Sequence, residues 1–284
     1  MIVLKRIASG VIAGGAVFGI LYVGARLNVH WIVGFAMLGV GYPAMLEYIR
    51  LMRRMDIELA APELLIWVPV LIFSYVLFDA EYADVVLLLA VAFQVLRSLR
   101  SSPHRDGLVQ SLAAVFGLLY IPWLLHFLYL IYTAGMGQSP HVGAVHALVV
   151  LLMVWGYDSG AYFIGKTFGR HRAFPSISPN KTWEGVGGGF ACAILGGFVG
   201  STFSPVWREF ALGVGGGHIV AAAVLVGWAV QLGDLFASKL KRAANVKDSG
   251  YFLPGHGGFL DRIDGMLFAL PVFYFYFHYV VRFL

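Results

Sequence analysis

Apolar stretches of roughly twenty residues, separated by short polar gaps, recur along the whole of this 284-residue chain. A bilayer core of about 30 Å asks for about 20 apolar residues per helix. Windows of that kind predict nine transmembrane helices, at about 7–25, 31–49, 61–79, 82–98, 108–133, 142–165, 184–203, 217–237 and 266–283. The gaps leave no room for a soluble domain of ordinary size. The pattern therefore predicts a single all-α polytopic integral membrane domain over 1–284. A hydrophobic half (1–141, spans one to five) precedes a half that carries the chemistry (142–284, spans six to nine). Lys5 and Arg6 ahead of an apolar run look like the start of a signal peptide, but no persuasive small-residue cleavage site follows, so the stretch reads as a retained first span.

Composition agrees with this pattern. The chain is 60% hydrophobic and 12% charged, against roughly 25% charged in soluble domains. Its charges also give an orientation. With nine spans, seventeen Lys and Arg fall on one side and only Arg26, Arg208 and Arg282 on the other. Because basic residues accumulate on the cytoplasmic side, the N-terminus is expected in the cytoplasm and the C-terminus outside. The net charge of +5 is thereby a matter of topology and gives no reason to expect a nucleic-acid partner. Cys192 is the single cysteine, so neither a disulfide framework nor a thiolate metal cluster is available.

Against this background the stretch SKLKRAANVKDSGYFLPGHGGFLDRIDG (238–265) is exceptional for its charge. Asp158 lies near the inner end of the sixth expected span, Asp234 near that of the eighth, and Asp261 and Asp264 just before the ninth, so all four reach one membrane level. An intramembrane carboxylate is costly unless a counter-charge, a metal or water compensates it. Capping or pairing with interfacial Lys/Arg accounts for any one of them; as a set beside basic residues, hard oxygens describe a magnesium site that also handles phosphates. The PGHGG turn (254–258) allows positive φ and exposes N–H groups to anions, and reads either as a bare turn or as a phosphate cradle. SPNKTWEG (178–185) introduces the seventh span: Ser178, Asn180 or Thr182 suits an N-cap, Lys181 with the helix end suits a phosphate, and Glu184 suits orienting Lys181 or a metal-bound water. Gly185, Gly189, Ala193 and Gly197 repeat every four residues and predict close helix packing. GAYFIGKT (160–167) fits the P-loop spacing, but it ends an expected membrane helix and carries Tyr162, Phe163 and Ile164 where a glycine-rich loop should be, so the P-loop reading is rejected.

The pattern Ser238, Lys241-Arg242, Lys247-Asp248, Leu253-Pro254, His256-Gly257-Gly258, Asp261-Arg262 and Asp264 resembles the signature of the phosphatidate cytidylyltransferases (CDP-diacylglycerol synthases). Asp158, AYFIGKTFGR and SPNKTWEG resemble the upstream part of that family's site, so the resemblance covers about 150–284. It implies the reaction CTP + phosphatidate → CDP-diacylglycerol + pyrophosphate, with Mg2+ on Asp234 and Asp261. A second, monovalent cation is left open. The catalytic group implied is Asp234, Asp261 and Asp264 with Lys241, Arg242 and Lys247. Asp158, Lys166, Ser178, Lys181, Thr182, Glu184, Ser238, Asp248, His256, Gly257, Gly258 and Arg262 are the expected substrate contacts. The expected setting is a multi-pass protein of a bacterial inner membrane, surrounded by membrane lipids, with the charge bias turning the site to the cytoplasm; the small-residue pattern further suggests a homodimer through a helix face.

Two other classes compete. Intramembrane carboxylates also line transporter paths, although here the charges gather at one face and no matching broken segments occur in the two halves. Cytidylyl transfer to another phosphorylated lipid, or a lipid kinase, is chemically nearer. The signature favours cytidylyl transfer and leaves the lipid open.

Overall fold

The computed structural model describes residues 2–27, 29, 31–78, 80–100, 104–134, 140–250 and 257–282. Within them the order is α1 (Ile2–Leu27), α2 (Trp31–Arg54), α3 (Ala61–Leu77), α4 (Ala80–Ser98), α5 (His104–Leu118), α6 (Leu124–Thr133), α7 (Pro140–Phe168), β1 (Arg172–Phe174), β2 (Ser178–Thr182), α8 (Trp183–Ser201), α9 (Pro205–Leu212), α10 (Gly216–Ala243) and α11 (Leu260–Phe275). A π-helical segment, Leu119–Trp123, joins α5 to α6. It contains Pro122, which lacks the N–H that an α-helical ladder requires.

Each expected apolar window falls, within the described residues, mainly on helix. Among the described residues five segments are long and apolar enough to cross a membrane: Trp31–Arg54, His104–Thr133, Val142–Phe168, Gly216–Ala243 and Leu260–Val281. Large apolar side chains such as Leu88, Leu112, Leu195 and Leu232 lie exposed on the outside. An aqueous protein would pay heavily for such a surface, whereas lipid accommodates it.

Three local features depart from the expected pattern. Residues 172–182, between α7 and α8, form a small antiparallel hairpin, with Arg172 opposite Thr182 and Phe174 opposite Ser178. Pro175 and Pro179 exclude continuous helix there, and the Trp183 amide donates to the His171 carbonyl at 2.9 Å where the hairpin closes. The short α9 precedes α10. Finally, α10 runs past 237 to Ala243, while α11 starts at Leu260 and not at 266, so Asp261 and Asp264 sit in the first turns of a helix.

Missing side chains set the helix spacing. A Cβ added to Gly160 of α7 would stand 2.5 Å from the Gly188 carbonyl oxygen of α8, and one on Gly156 would stand 2.5 Å from that of Cys192. The expected stripe lies beside this line: Gly185, Gly189, Ala193 and Gly197 are all buried, with Gly189 against Tyr157 and Gly197 against Met153 and Ile219. That face is used inside the chain, against α7 and α10. Similarly, α10 and α11 cross where a Cβ on Gly233 would lie 2.3 Å from the Asp264 carbonyl oxygen.

Candidate active site

The Gly233 crossing brings Asp234 and Asp264 to neighbouring positions on two helices. Both line a cleft of about 770 Å³, together with Asp158 from α7 and Asp261 from α11. Its walls also carry Lys166, Arg170, Arg172, Lys181, Lys241 and Arg262. Four carboxylates and six basic side chains thus face one space, supplied by α7, the turn after it, the hairpin, α10 and α11.

Two ion pairs organise the floor. Lys181 Nζ, delivered by β2, lies 2.5 Å from Asp234 Oδ2, and the two side chains are 20% and 35% exposed. Asp234 has one further neighbour on its own helix, the Ser238 hydroxyl at 3.5 Å, beyond a good hydrogen bond. Lys241 pairs with Asp261 Oδ1, and here the side chains are only 13% and 11% exposed. The other oxygen, Oδ2, accepts from the Ser249 amide at 2.8 Å and the Gly258 amide at 2.9 Å, and shares the single proton of the Ser249 hydroxyl, 2.9 Å away, with Glu47. One oxygen of Asp261 is therefore fixed by the backbone, and the other is turned to the cleft cation.

The end of α10 makes this convergence possible. Asn245 adopts φ +54°, its amide donates to the Arg242 carbonyl at 3.0 Å, and the Val246 amide donates to the Lys241 carbonyl at 2.9 Å. This paired bond pattern with a left-handed residue terminates a helix sharply and turns the chain back toward α11 one turn after Lys241. Asp264, buried, accepts from the Gly265 amide at 2.8 Å. Thr182 caps α8, its hydroxyl accepting from the Gly185 amide at 3.2 Å.

Other expected residues are placed differently. Glu184 does not orient Lys181; it accepts from the Arg170 amide at 3.1 Å and pairs with His171 Nδ1 at 2.6 Å, anchoring the hairpin to α8. Gly257 has the anticipated positive φ, +73°, and a Cβ there would crowd Asp261 Oδ2 at 2.6 Å. The amide of Gly258, however, binds the chain's own Asp261, so this donor of the expected phosphate cradle is spent on a carboxylate. Arg242 reaches the Val246 carbonyl at 3.3 Å and does not line the cleft. Lys247 and Asp248 are exposed on the loop after α10, also away from the lining, and Ser178 belongs to the hairpin ladder. His256, with Leu253 and Pro254 of the motif, lies outside the described residues. Lys166, expected to meet phosphate, is exposed at the cleft and stands 5.6 Å from the Tyr162 ring centre, within α7 and without any P-loop.

Sequence reasoning missed Gln231, Tyr157 and Glu47. Gln231 lines the cleft and accepts from the Tyr157 hydroxyl at 2.9 Å. A buried amide three residues before Asp234 in an apolar helix was the available signal. Glu47, in α2, is 4% exposed and accepts from the Ser249 hydroxyl at 2.7 Å and the Phe259 and Leu260 amides at 2.9 Å each. It too was an acid within an expected span.

Comparison with known proteins gives a consistent result. The profile described as the Cytidylyltransferase family matches residues 4–280. A phosphatidate cytidylyltransferase of Bacillus subtilis is 34% identical over 279 residues, covering 95% of this chain and 96% of that protein. A Haemophilus influenzae protein of that name is 43% identical over 141 residues, 49% of this chain and 48% of its own length. One from Thermotoga maritima is 39% identical over 163 residues, 55% of each.

Proposed function

From the premise that the chain belongs to the cytidylyltransferase family, we propose how its cleft joins a nucleotide to a lipid. The chain is a CTP-utilising nucleotidyltransferase of phospholipid biosynthesis, and its reaction is CTP + phosphatidate → CDP-diacylglycerol + pyrophosphate. The observation that carries the reading is the pair Lys181–Asp234 and Lys241–Asp261 on the floor of one cleft lined by six cations.

Two anionic substrates repel, and catalysis of phosphoryl-type transfer rests on neutralising and positioning them. Lys166, Arg170, Arg172 and Arg262 supply positive charge around the cleft. Lys181 and Lys241 hold carboxylates in the same space, so each is within reach of exchanging that partner for a phosphate oxygen. A phosphatidate oxygen, already ionised at neutral pH, attacks the α-phosphorus in line; the new P–O bond forms as the bond to the β-phosphate oxygen breaks, and pyrophosphate leaves with that electron pair. No strong general base is required.

Asp234 and Asp261, backed by Asp264, fit magnesium by donor chemistry. Magnesium takes one or two carboxylates and completes its octahedron with water and substrate phosphates. It needs no all-protein cage, and among the described residues no three metal-type side chains form one. When bound, it would neutralise charge on the α-phosphate and the departing pyrophosphate. Asp158, on α7 in the same cleft, is suited to orienting a lysine or a nucleotide donor group.

We further read nine spans, α1, α2, α3, α4, α5 with α6, α7, α8, α10 and α11, with the N-terminus cytoplasmic, the C-terminus outside, the catalytic half at 142–284 and the cleft facing the cytoplasm of a bacterial inner membrane. The charge bias along the chain supports this orientation, because every basic residue of the cleft belongs to the richer side. Such a level lets acyl chains stay in lipid while CTP arrives from water. Purified protein in detergent should release pyrophosphate from labelled CTP only with phosphatidate and a divalent cation together. Equal turnover with either omitted would overturn the reading, and a panel of phosphorylated lipids in the same assay would define the acceptor.

A further inference from the structure

One residue of the hydrophobic half, Glu47, hydrogen-bonds directly to the segments that hold Asp261. We propose that Glu47 of α2 is a positioning residue for cytidylyl transfer: it holds Ser249 and the start of α11 so that Asp261 keeps its orientation toward Lys241. The inference rests on the reading of Asp261 as a catalytic carboxylate.

The first observation is that α11 lacks a cap of its own. Its N-cap residue, Phe259, offers no side-chain hydrogen bond, yet the opening N–H groups of a helix need acceptors. Glu47 supplies them from another helix, Oε1 to the Phe259 amide and Oε2 to the Leu260 amide, each at 2.9 Å. A negative charge at a helix N-terminus is favourable, more so where water is excluded. The second observation is a bridge. The Ser249 hydroxyl lies 2.7 Å from Glu47 Oε2 and 2.9 Å from Asp261 Oδ2, so one hydroxyl touches both carboxylates. The third is space: a Cβ on Gly250 would fall 2.3 Å from Glu47 Oε1, and one on Gly258 2.2 Å from Oε2. The chain is glycine on both sides of the carboxylate, which fits a seat shaped for it.

These contacts have a directional result. Asp261 Oδ2 is saturated by Ser249 and Gly258, both in the segments that Glu47 adjoins, and only Oδ1 remains for the cleft. Removing Glu47 frees α11's first turn and Ser249 together, and the orientation of Asp261 loosens. A bare packing role for Glu47 would stabilise the fold without this effect on one carboxylate.

The test uses full-length protein in detergent. Glu47→Gln keeps the shape but sets an amide N–H against backbone donors. Its kcat should fall about 10- to 100-fold, as for loss of an orienting partner, with the apparent KM for phosphatidate changed by less than about twofold. Hydrogen exchange at the Gly258–Leu260 amides should quicken in protein free of metal and nucleotide, a readout independent of turnover. Ser249→Ala should reproduce the kcat loss and Ser249→Thr, which keeps the hydroxyl, should restore most of it. The double variant Glu47→Gln/Ser249→Ala should be no slower than the worse single one, because both act through Asp261. Wild-type kcat in Glu47→Gln, or losses that multiply in the double, would overturn the proposal. If Glu47→Gln does not fold, the Ser249→Ala and Ser249→Thr pair decides alone. Should Asp261→Asn retain full turnover, the catalytic reading itself fails; should Asp261→Asn be inactive while Glu47→Gln is normal, only this inference does.

Discussion

Asp234 and Asp261 are the same residue type, each paired with a lysine in the same cleft, yet they are held in different ways. Asp261 is tied by three donors on one oxygen, and its ion pair is nearly closed to solvent. Asp234 relies on Lys181, which arrives from an exposed hairpin, and the pair is more open. Rigid orientation costs nothing at the moment of reaction, while an adjustable partner lets the site accept and release large anions. One carboxylate is set before substrates arrive, and the other is free to adapt to them.

The comparison can be broken most directly at the carboxylates. Asp261→Asn should lower kcat on the order of 10³-fold and also lower the thermal midpoint, because the amide sets an N–H against Ser249 and Gly258 donors that in the wild type face a carboxylate oxygen. Asp234→Asn should lower kcat on the order of 10²-fold with an unchanged midpoint. Radiolabelled-CTP turnover and thermal unfolding in detergent measure both, and equal midpoint losses would erase the distinction. Next come the cations. Lys241→Met strands a buried carboxylate and should destabilise by about 3 kcal/mol, whereas Lys181→Met, at a more open pair, should cost at most about 1 kcal/mol while raising the KM for CTP. Denaturant titration with parallel kinetics separates these outcomes. The smallest effect on rate is expected at Thr182→Ala, which removes the α8 cap and should cost about 1 kcal/mol of stability with a modest loss of rate as the hairpin carrying Lys181 loosens; a larger loss of rate than at Lys181→Met would show that the cap matters more than the cation it positions.

Much of this was legible in the sequence because lipid is an unforgiving solvent. Apolar windows located the helices, and the charge that interrupts them marked Asp158, Asp234, Asp261 and Asp264, all of which line one cleft. What escaped depended on where the backbone's own hydrogen bonds go. The glycines before α11 looked like donors for a phosphate, but in the fold Gly258 and the two amides after it serve Asp261 and Glu47. Glu184 looked like a partner for Lys181, although the turn between β2 and α8 points it back at His171. Two prolines hinted at a break after α7 without specifying that the intervening residues would pair as strands. Glu47 escaped because its partners lie about two hundred positions away along the chain, a separation that local periodicity does not register.

The crossing of α10 and α11 at Gly233 has a last consequence. Positions 233 and 265 do not line the cleft, yet the helices meet there so closely that an added methyl at 233 would press on the backbone carrying Asp264, and one at 265 on the side chain of Val230. The gauge of the acidic floor is thus governed by hydrogen atoms. Changes along the hairpin or the basic wall can alter what the cleft admits, but a single carbon at this junction would prise the floor itself apart.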